Sequence, residues 1–179
     1  MSYDVVLAGR GGQGVLFLSR VMGEAALRQG LAVRTTETHG MAMRGGSVLC
    51  FVRIGSGRGP LFRKGTASLL IALHVSELEL GRPYLAPEAS IIVNTPNRAG
   101  GRGGQIPIDA DTLATTAGNA RSANLVLLGA ACTLDGFPLK PESVASVIME
   151  KGPENMRPVN LEIFRLGGQR PTTDVQNPR

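Results

Sequence analysis

Three glycines spaced Gly9-x-Gly11-x-x-Gly14 constrain the start of this chain more than any other feature of its sequence. They follow a short apolar run at 3–8, which predicts a buried strand, and they precede apolar residues that recur at helical spacing. A second apolar run at 31–36 predicts the next strand. This order of strand, turn, helix and strand is typical of the opening of a doubly wound sheet. We therefore expect an α/β fold, a three-layer sandwich with a mostly parallel, Rossmann-like sheet.

The remaining elements follow from hydrophobic periodicity and from the positions of glycine and proline. Further strands are predicted at 47–54, 68–73, 90–93 and 106–108. Helices are predicted at 75–80, 120–134, 141–151 and 160–166, and Asp109 or Asp111 is a candidate cap for a further helix after 108. The helix at 120–134 is apolar nearly all round, so we expect it to be buried, with Gly129 allowing another backbone to approach closely. The domain is expected to span 1–166, followed by a polar, disordered tail at 167–179.

Composition excludes several classes of function. The net charge is +5, but the basic residues are scattered and aromatic residues make up only 4% of the chain, so nucleic-acid binding is not expected. No apolar run approaches the roughly 18 residues that cross a membrane. Asp4 interrupts the N-terminal segment and glycines follow from Gly9 on, which argues against a signal peptide. We expect a cytoplasmic protein that contacts neither nucleic acid nor a membrane.

The two cysteines, Cys50 and Cys132, both lie in apolar runs and form no C-x-x-C pair. This placement predicts buried free thiols, which suit a reducing compartment. A single chain with two separated cysteines cannot supply the four thiolates of an iron–sulfur cluster. We therefore expect no metal site and no redox cofactor bound by this chain alone.

The glycine turn suits an anion, because its backbone amides and the following helix N-terminus both present positive charge. The candidate binding residues of the turn are Gly9, Gly11, Gly12, Gln13 and Gly14. Glu37 follows the second strand, where a ribose-binding acid stands in dinucleotide-binding domains. Residues 1–37 alone slightly favour a nucleotide site. The same glycines also let a strand turn sharply into a close-packed helix, so a purely structural role stays open.

The segment after Glu37 has an unusual content for such a domain. Its candidate site residues are His39, Gly40, Met41, Arg44, Gly45 and Gly46. His39 either contacts a substrate or holds the shape of the loop, and the structural role is favoured. Arg44 either grips a phosphate or carboxylate with both ends of its guanidinium or ties down its own loop. Met41 and Met43 offer soft apolar contact to a ligand or to a partner.

A third group of polar residues opens the helix predicted at 120–134. Asn119 is expected to cap this helix through its side-chain oxygen. Arg121 is a candidate for contact with an anion, and Asn124 lies on the next turn of the same segment. Capping is the preferred role for Asn119.

Four motifs in this order are similar to a known family. They are Gly-x-Gly-Gly-Gln-Gly at 9–14, Glu-x-His-Gly-Met-Ala-x-Arg-Gly-Gly-Ser-Val at 37–48, Gly-Asn-Ala-Arg-x-Ala-Asn at 118–124 and Val-Asn-Leu at 159–161. Together they resemble the gamma-type domain of the 2-oxoacid:ferredoxin oxidoreductases, and the His-Gly-Met-Ala wording resembles the small subunits of the indolepyruvate type. The resemblance covers residues 3–166.

The resemblance implies that this chain is one part of a larger enzyme, with no catalytic residues in this chain alone. The complex would oxidatively decarboxylate a 2-oxo acid, form an acyl-coenzyme A and reduce ferredoxin. Thiamine diphosphate, Mg²⁺ and the iron–sulfur clusters would belong to a large partner subunit. The small subunit would pack on that subunit and help to form the cleft for substrate and coenzyme A. Arg44 and Arg121 would then face the coenzyme A phosphates or the partner.

Two other classes of function remain as alternatives. The first is a stand-alone nicotinamide or flavin enzyme that uses the glycine turn and Glu37. The second is a nucleotide-sensing interaction module with no catalytic activity. The resemblance suggests a dimer of large–small pairs, and the isolated chain is expected to be able to form a homodimer through its empty docking face.

Overall fold

The computed structural model describes residues 2–39, 46–57, 59, 63–97 and 104–169. Within these residues, six strands form one sheet in the order β2-β3-β1-β4-β5-β6. The strands are β1 Ser2–Arg10, β2 Val33–His39, β3 Ser47–Gly55, β4 Ala67–Ala72, β5 Leu85–Asn94 and β6 Gln105–Ile108. The α-helices are α1 Val15–Arg28, α2 Leu78–Gly81, α3 Ala110–Thr116, α4 Ala123–Ala131, α5 Pro141–Lys151 and α6 Arg157–Gly168. Single 3-10 turns at Val75–Glu77, Arg82–Tyr84, Ala120–Ser122 and Glu154–Met156 each lead into another of these elements.

The sheet is mixed. β1, β4, β5 and β6 are parallel neighbours, which confirms the α/β fold with a mostly parallel sheet. β3 lies between β1 and β2 and is antiparallel to both. The crossover from β1 through α1 to β2 therefore keeps the expected parallel direction, but β2 ends up two strands away, at the edge. The sequence predicts β3 as a strand. Its position between β1 and β2 depends on pairing with both strands, which a local sequence pattern does not encode.

Alternate residues of the central strands pack on opposite faces of the sheet, as strand geometry requires. In β1, Val5 and Leu7 face the helices α1 and α3–α6, whereas Val6 and Ala8 face the layer that contains α2. All four side chains are fully buried. Strands covered on both faces are apolar almost throughout, which explains the unbroken hydrophobic runs in the sequence.

Helices α4 and α6 cross at unusually short range because two glycines face the opposite backbone. A Cβ atom at Gly129 would lie 2.0 Å from the carbonyl oxygen of Phe164, and one at Gly167 would lie 1.9 Å from that of Val126. The close approach expected at Gly129 is therefore confirmed, and its partner is α6. These two contacts fix α6 against α4, and α4 is buried from Asn124 to Ala131.

Several element boundaries differ from the sequence prediction, and β5 and α6 show the clearest differences. β5 begins at Leu85 instead of 90, since its first half contains Pro87 and Glu88 and pairs irregularly with β4. α6 extends to Gly168, two residues into the predicted tail, and residues 170–179 lie outside the described part of the chain. Among the described helices, none has the length and apolar character needed to cross a membrane.

The α4–α6 contact predicts a sharp difference between two neighbouring glycines. Gly129→Ala should lower the free energy of unfolding by about 1–3 kcal/mol or more, because the new methyl group overlaps a backbone oxygen. Gly168→Ala is the matched control, since its Cβ would meet nothing closer than 3.6 Å. Urea unfolding monitored by circular dichroism measures both. Equal stability of the two variants would contradict the described packing.

Candidate functional site

A cavity of about 150 Å³ lies at the carboxyl edge of the sheet, beyond the ends of β1, β4 and β5. This edge is where ligands bind in open α/β sheets. Its walls come from the glycine turn, from the strand ends and from the start of the segment that leads into α4. The lining residues are Gly12, Gln13, Leu73, Asn94, Asp111, Ala120, Arg121, Ala123 and Asn124. The structure thus brings the first and third sequence motifs together around one cavity.

The glycine turn is held by hydrogen bonds of its own. The Arg10 amide donates to Gln13 Oε1 at 2.7 Å, and the Gln13 amide donates back to the Arg10 carbonyl at 3.0 Å. The Gly11 amide donates to the Gly46 carbonyl at 2.9 Å, so it is not directed at a ligand. Among the described hydrogen bonds, none uses the amides of Gly12 or Gly14, and these two remain the turn's candidates for binding an anion.

Gly14 joins the turn to the third motif. Its φ of 81° is in the left-handed region, and its carbonyl accepts both the Leu18 amide at 2.9 Å and Asn124 Nδ2 at 3.3 Å. A Cβ atom at this position would lie 2.3 Å from Asn124 Nδ2. Glycine is therefore required at Gly14 for its backbone conformation and also for the close approach of the asparagine.

A buried polar network joins the third motif to the fourth. Asn119 caps the Ala120–Ser122 turn, since its Oδ1 accepts the Arg121 amide at 3.3 Å, so the predicted cap is found on the 3-10 turn that leads into α4 and not on α4 itself. Asn160 Oδ1, on α6, accepts hydrogen bonds from Asn119 Nδ2 at 2.8 Å and from Ser122 Oγ at 2.7 Å. Ser122 and Asn160 are both buried. The segment that carries Arg121 is therefore attached to α6.

The cavity carries one charge of each sign. Arg121 is exposed, and within the described residues its guanidinium makes no hydrogen bond or ion pair. Asp111, in the first turn of α3, contributes the carboxylate. An unpaired guanidinium suits a carboxylate or phosphate ligand, whereas the acid opposes a second negative group nearby.

Asn94 is a cavity residue that the sequence indicates only as the end of a strand. It is buried, its Nδ2 donates to the Leu73 carbonyl at 3.2 Å, and its Oδ1 accepts the Ala110 amide at 3.0 Å. Gln13 Nε2 donates to the same Leu73 carbonyl at 3.4 Å. Asn94 and Gln13 thereby fix the cavity wall at the ends of β4 and β5. The sequence feature that could have indicated Asn94 as a site residue is its position as a polar residue directly after the apolar run at 90–93.

Glu37 does not reach the cavity. It lies on the edge strand β2, where it pairs with Cys50 of β3, and it is not among the lining residues. The inserted β3 separates β2 from β1, which places Glu37 about two strand spacings, roughly 10 Å, from β1 instead of one spacing, about 5 Å, as in a sheet where the two strands are adjacent. Glu37 is therefore not placed where it could bind the ribose of a ligand in the cavity.

The second motif is described only at its two ends. The backbone of His39 pairs with Val48 at the end of β2, and Gly46 accepts the hydrogen bond from Gly11. The candidate residues Gly40, Met41, Arg44 and Gly45 lie outside the described residues, as does Met43. The proposed roles of these residues, and that of the His39 side chain, stay predictions.

Both cysteines are free thiols with raised pKa values. Burial raises the pKa of Cys50, and burial followed by the charge of Glu142 raises that of Cys132 to about 12. Such thiols remain protonated at neutral pH and are poor nucleophiles and poor metal ligands. Over the described part of the chain, no three His, Cys, Asp or Glu residues come close enough together to hold a metal ion.

Comparison with known proteins shows to which protein family the chain belongs. Residues 4–170 match the family described as pyruvate ferredoxin/flavodoxin oxidoreductase. The chain is 34% identical to indolepyruvate oxidoreductase subunit IorB of Methanothermobacter thermautotrophicus, over 93% of this chain and 96% of that protein. It is also 34% identical to the Archaeoglobus fulgidus subunit of the same name, over 93% of this chain and 94% of that one.

The fold has close counterparts among solved structures. The gamma subunit of a keto/oxoacid ferredoxin oxidoreductase from Geobacter sulfurreducens PCA superposes with a TM-score of 0.78 at 23% identity, over 93% of this chain and 96% of that one. The 2-oxoglutarate:ferredoxin oxidoreductase of Magnetococcus marinus, solved with 2-oxoglutarate, coenzyme A and succinyl-CoA, gives a TM-score of 0.75 at 23% identity. That match covers 93% of this chain and 30% of that one.

The chain therefore belongs to the pyruvate ferredoxin/flavodoxin oxidoreductase family. Within it, the chain is a small subunit of a 2-oxoacid:ferredoxin oxidoreductase, and it is similar along its whole length to the IorB subunits. This confirms the resemblance drawn from the four motifs.

The two left-handed glycines of the turn predict different sensitivities. Gly12→Ala should cost about 1–2 kcal/mol from backbone strain alone, because nothing lies within 4 Å of its Cβ position. Gly14→Ala should cost about 1–3 kcal/mol more, because the methyl group also displaces Asn124. The double variant Gly14→Ala/Asn124→Ala should cost less than the sum of its two single changes. Chemical unfolding of the four variants tests this, and strict additivity would contradict the contact.

Proposed function

We propose that this chain is the cofactor-free small subunit of an indolepyruvate-type 2-oxoacid:ferredoxin oxidoreductase. It docks on a large subunit that carries thiamine diphosphate, Mg²⁺ and iron–sulfur clusters. The complex converts an arylpyruvate-like 2-oxo acid, coenzyme A and oxidised ferredoxin into acyl-coenzyme A, carbon dioxide and reduced ferredoxin. Thiamine diphosphate bound by the large subunit would supply the decarboxylation chemistry, and the iron–sulfur clusters would supply the path for electrons to ferredoxin. The identity to IorB subunits along the whole chain supports the choice of substrate class.

The cavity is the observation that best supports a role of this chain at the coenzyme A cleft. Arg121 and the amides of Gly12 and Gly14 offer donors to an anionic group, and a helix of 14 residues begins directly after Gly14. The cavity is about 150 Å³, whereas pockets for whole drug-sized ligands are about 300–1,000 Å³. It therefore suits one end group, and we assign it to a phosphate of coenzyme A.

Asp111 limits how much negative charge the cavity can accept. A carboxylate beside a bound phosphate raises the free energy of binding, and more so for each further phosphate that enters. With one arginine and one aspartate, the cavity suits a single phosphate held by Arg121. The rest of coenzyme A would then lie toward the large subunit. The Magnetococcus marinus enzyme, which shares the fold, binds coenzyme A.

The alternative of a stand-alone dinucleotide enzyme has less support. Its ribose-binding acid would be Glu37, which lies on the edge strand away from the cavity. The cavity is also too small for a dinucleotide. A nucleotide-sensing module would use the same turn, and it would bind a nucleotide in the absence of any large subunit.

The partners follow from the same proposal. The large subunit is the direct partner, and ferredoxin is reached through it. A dimer of large–small pairs in the cytoplasm is the assembly that we propose. A homodimer of the isolated chain would place two docking faces together, and addition of the large subunit would then dissociate it.

Reconstitution tests the proposal as a whole. We expect the purified chain to be colourless and inactive with methyl viologen. The large subunit of the same organism should co-purify with it, and the complex should reduce viologen when supplied with coenzyme A and indolepyruvate or phenylpyruvate. Tight binding of a nicotinamide or flavin dinucleotide by the isolated chain, with no association to the large subunit, would favour the alternative instead.

The assigned role of Arg121 predicts a selective kinetic effect in that complex. Arg121→Ala should raise the KM for coenzyme A about tenfold, since a hydrogen bond to a charged group contributes about 1.5–3 kcal/mol and this site is partly open to solvent. Arg121→Lys should give a KM for coenzyme A between those of the wild type and Arg121→Ala, because lysine keeps the positive charge but lacks the planar guanidinium. Arg20→Ala, an exposed arginine of α1, is the matched control. An unchanged KM in Arg121→Ala would refute the assignment.

A further inference from the structure

We propose that Asn160, which lies on α6 outside the cavity, is a positioning residue that fixes Arg121 at the cavity. This inference rests on the proposed function, because it needs Arg121 to bind an anionic group of coenzyme A. Asn160 is only 4% exposed and does not line the cavity, so it has no direct access to a ligand.

One oxygen atom of Asn160 accepts hydrogen bonds from residues on both sides of Arg121 in the sequence. Its Oδ1 accepts from Asn119 Nδ2 at 2.8 Å and from Ser122 Oγ at 2.7 Å. Asn119 Nδ2 also donates to Ser122 Oγ at 2.7 Å, which closes a three-membered network. Arg121 lies between these two residues in the chain. The base of its side chain is therefore fixed from both sides.

The backbone of Arg121 belongs to the same network. Its amide donates to Asn119 Oδ1 at 3.3 Å, and the Ser122 amide donates to the Asn119 carbonyl at 3.0 Å. The side-chain amide of Asn119 thus uses its oxygen for the Arg121 backbone and its nitrogen for Asn160. Loss of Asn160 would leave Asn119 and Ser122 without their shared acceptor, and the turn would gain freedom.

Helix α6 is a firm anchor for this network. Gly129 and Gly167 place the backbones of α4 and α6 in direct contact, and Asn160 lies on the buried side of α6. The guanidinium of Arg121, by contrast, has no partner among the described residues that would hold it in place. A charged group that a ligand must find in one geometry binds more tightly when neighbouring hydrogen bonds restrict it in advance.

The test measures steady-state kinetics of the reconstituted large–small complex with coenzyme A as the varied substrate. We expect Asn160→Ala to raise the KM for coenzyme A about three- to tenfold, with kcat and the KM for the 2-oxo acid within about twofold of wild type. Asn160→Asp keeps an oxygen acceptor for both donors and should restore most of the affinity. Ser122→Ala removes one link of the network and should give a smaller rise, which keeps the proposal testable if Asn160→Ala fails to assemble.

The decisive readout is the double variant Arg121→Ala/Asn160→Ala. If Asn160 acts through Arg121, the KM of the double variant equals that of Arg121→Ala alone, whereas independent effects multiply. Val144→Ala is the control for general loss of stability, since Val144 is fully buried on α5 and does not line the cavity. It should leave the KM for coenzyme A unchanged.

The outcomes separate this inference from the proposed function. If Arg121→Ala raises the KM but Asn160→Ala does not, or if the two effects multiply, the positioning role is wrong and the cavity assignment stands. An equal rise in Val144→Ala would also overturn the positioning role, because general destabilisation would then explain the effect. If Arg121→Ala leaves the KM unchanged, the cavity assignment itself fails, and the positioning role fails with it.

Discussion

The hydrogen bond from Asn124 to the Gly14 carbonyl is the contact on which the candidate site depends. It joins the turn after β1 to the beginning of α4, which are separated by 110 residues in sequence. The Gly11–Gly46 bond extends this connection to the second motif, and Asn160 extends it to the fourth. The described parts of the four motifs are thus connected to one another by hydrogen bonds. Because the donors and acceptors of these motifs form hydrogen bonds with one another, few of them are available to bind a ligand.

The inserted strand β3 separates Glu37 from the dinucleotide-like glycine motif. The glycine turn still leads from β1 directly into α1, but the antiparallel β3 moves β2 to the edge, and Glu37 is not among the cavity residues. The cavity contains a single arginine and an opposing aspartate in place of a ribose-binding acid. This arrangement is better suited to one end of a ligand whose remainder is held elsewhere, which agrees with a subunit that completes a site in a larger assembly.

Much of the fold is predictable from the sequence because the buried elements have strong hydrophobic patterns. The strands around Val5, Leu70 and Ile92 and the largely apolar α4 follow from such patterns, and the capping role of Asn119 follows from its residue type. Strand order does not, since antiparallel insertion of β3 depends on contacts between distant segments. Asn94 and Asp111 were visible only as residues at strand and helix ends. Asn160 was visible only within a motif, because its role depends on the crossing of α4 and α6.

The central claim is that the cavity between the glycine turn and Arg121 faces the active-site cleft of a large subunit and receives one phosphate of coenzyme A. A structure of the assembled complex with coenzyme A bound is the most direct measurement. The account predicts phosphate density within hydrogen-bond distance of the Arg121 guanidinium and the Gly12 or Gly14 amides, with the thiol end directed into the partner. Coenzyme A bound wholly by the large subunit, with the cavity open to solvent on the far side, would contradict it.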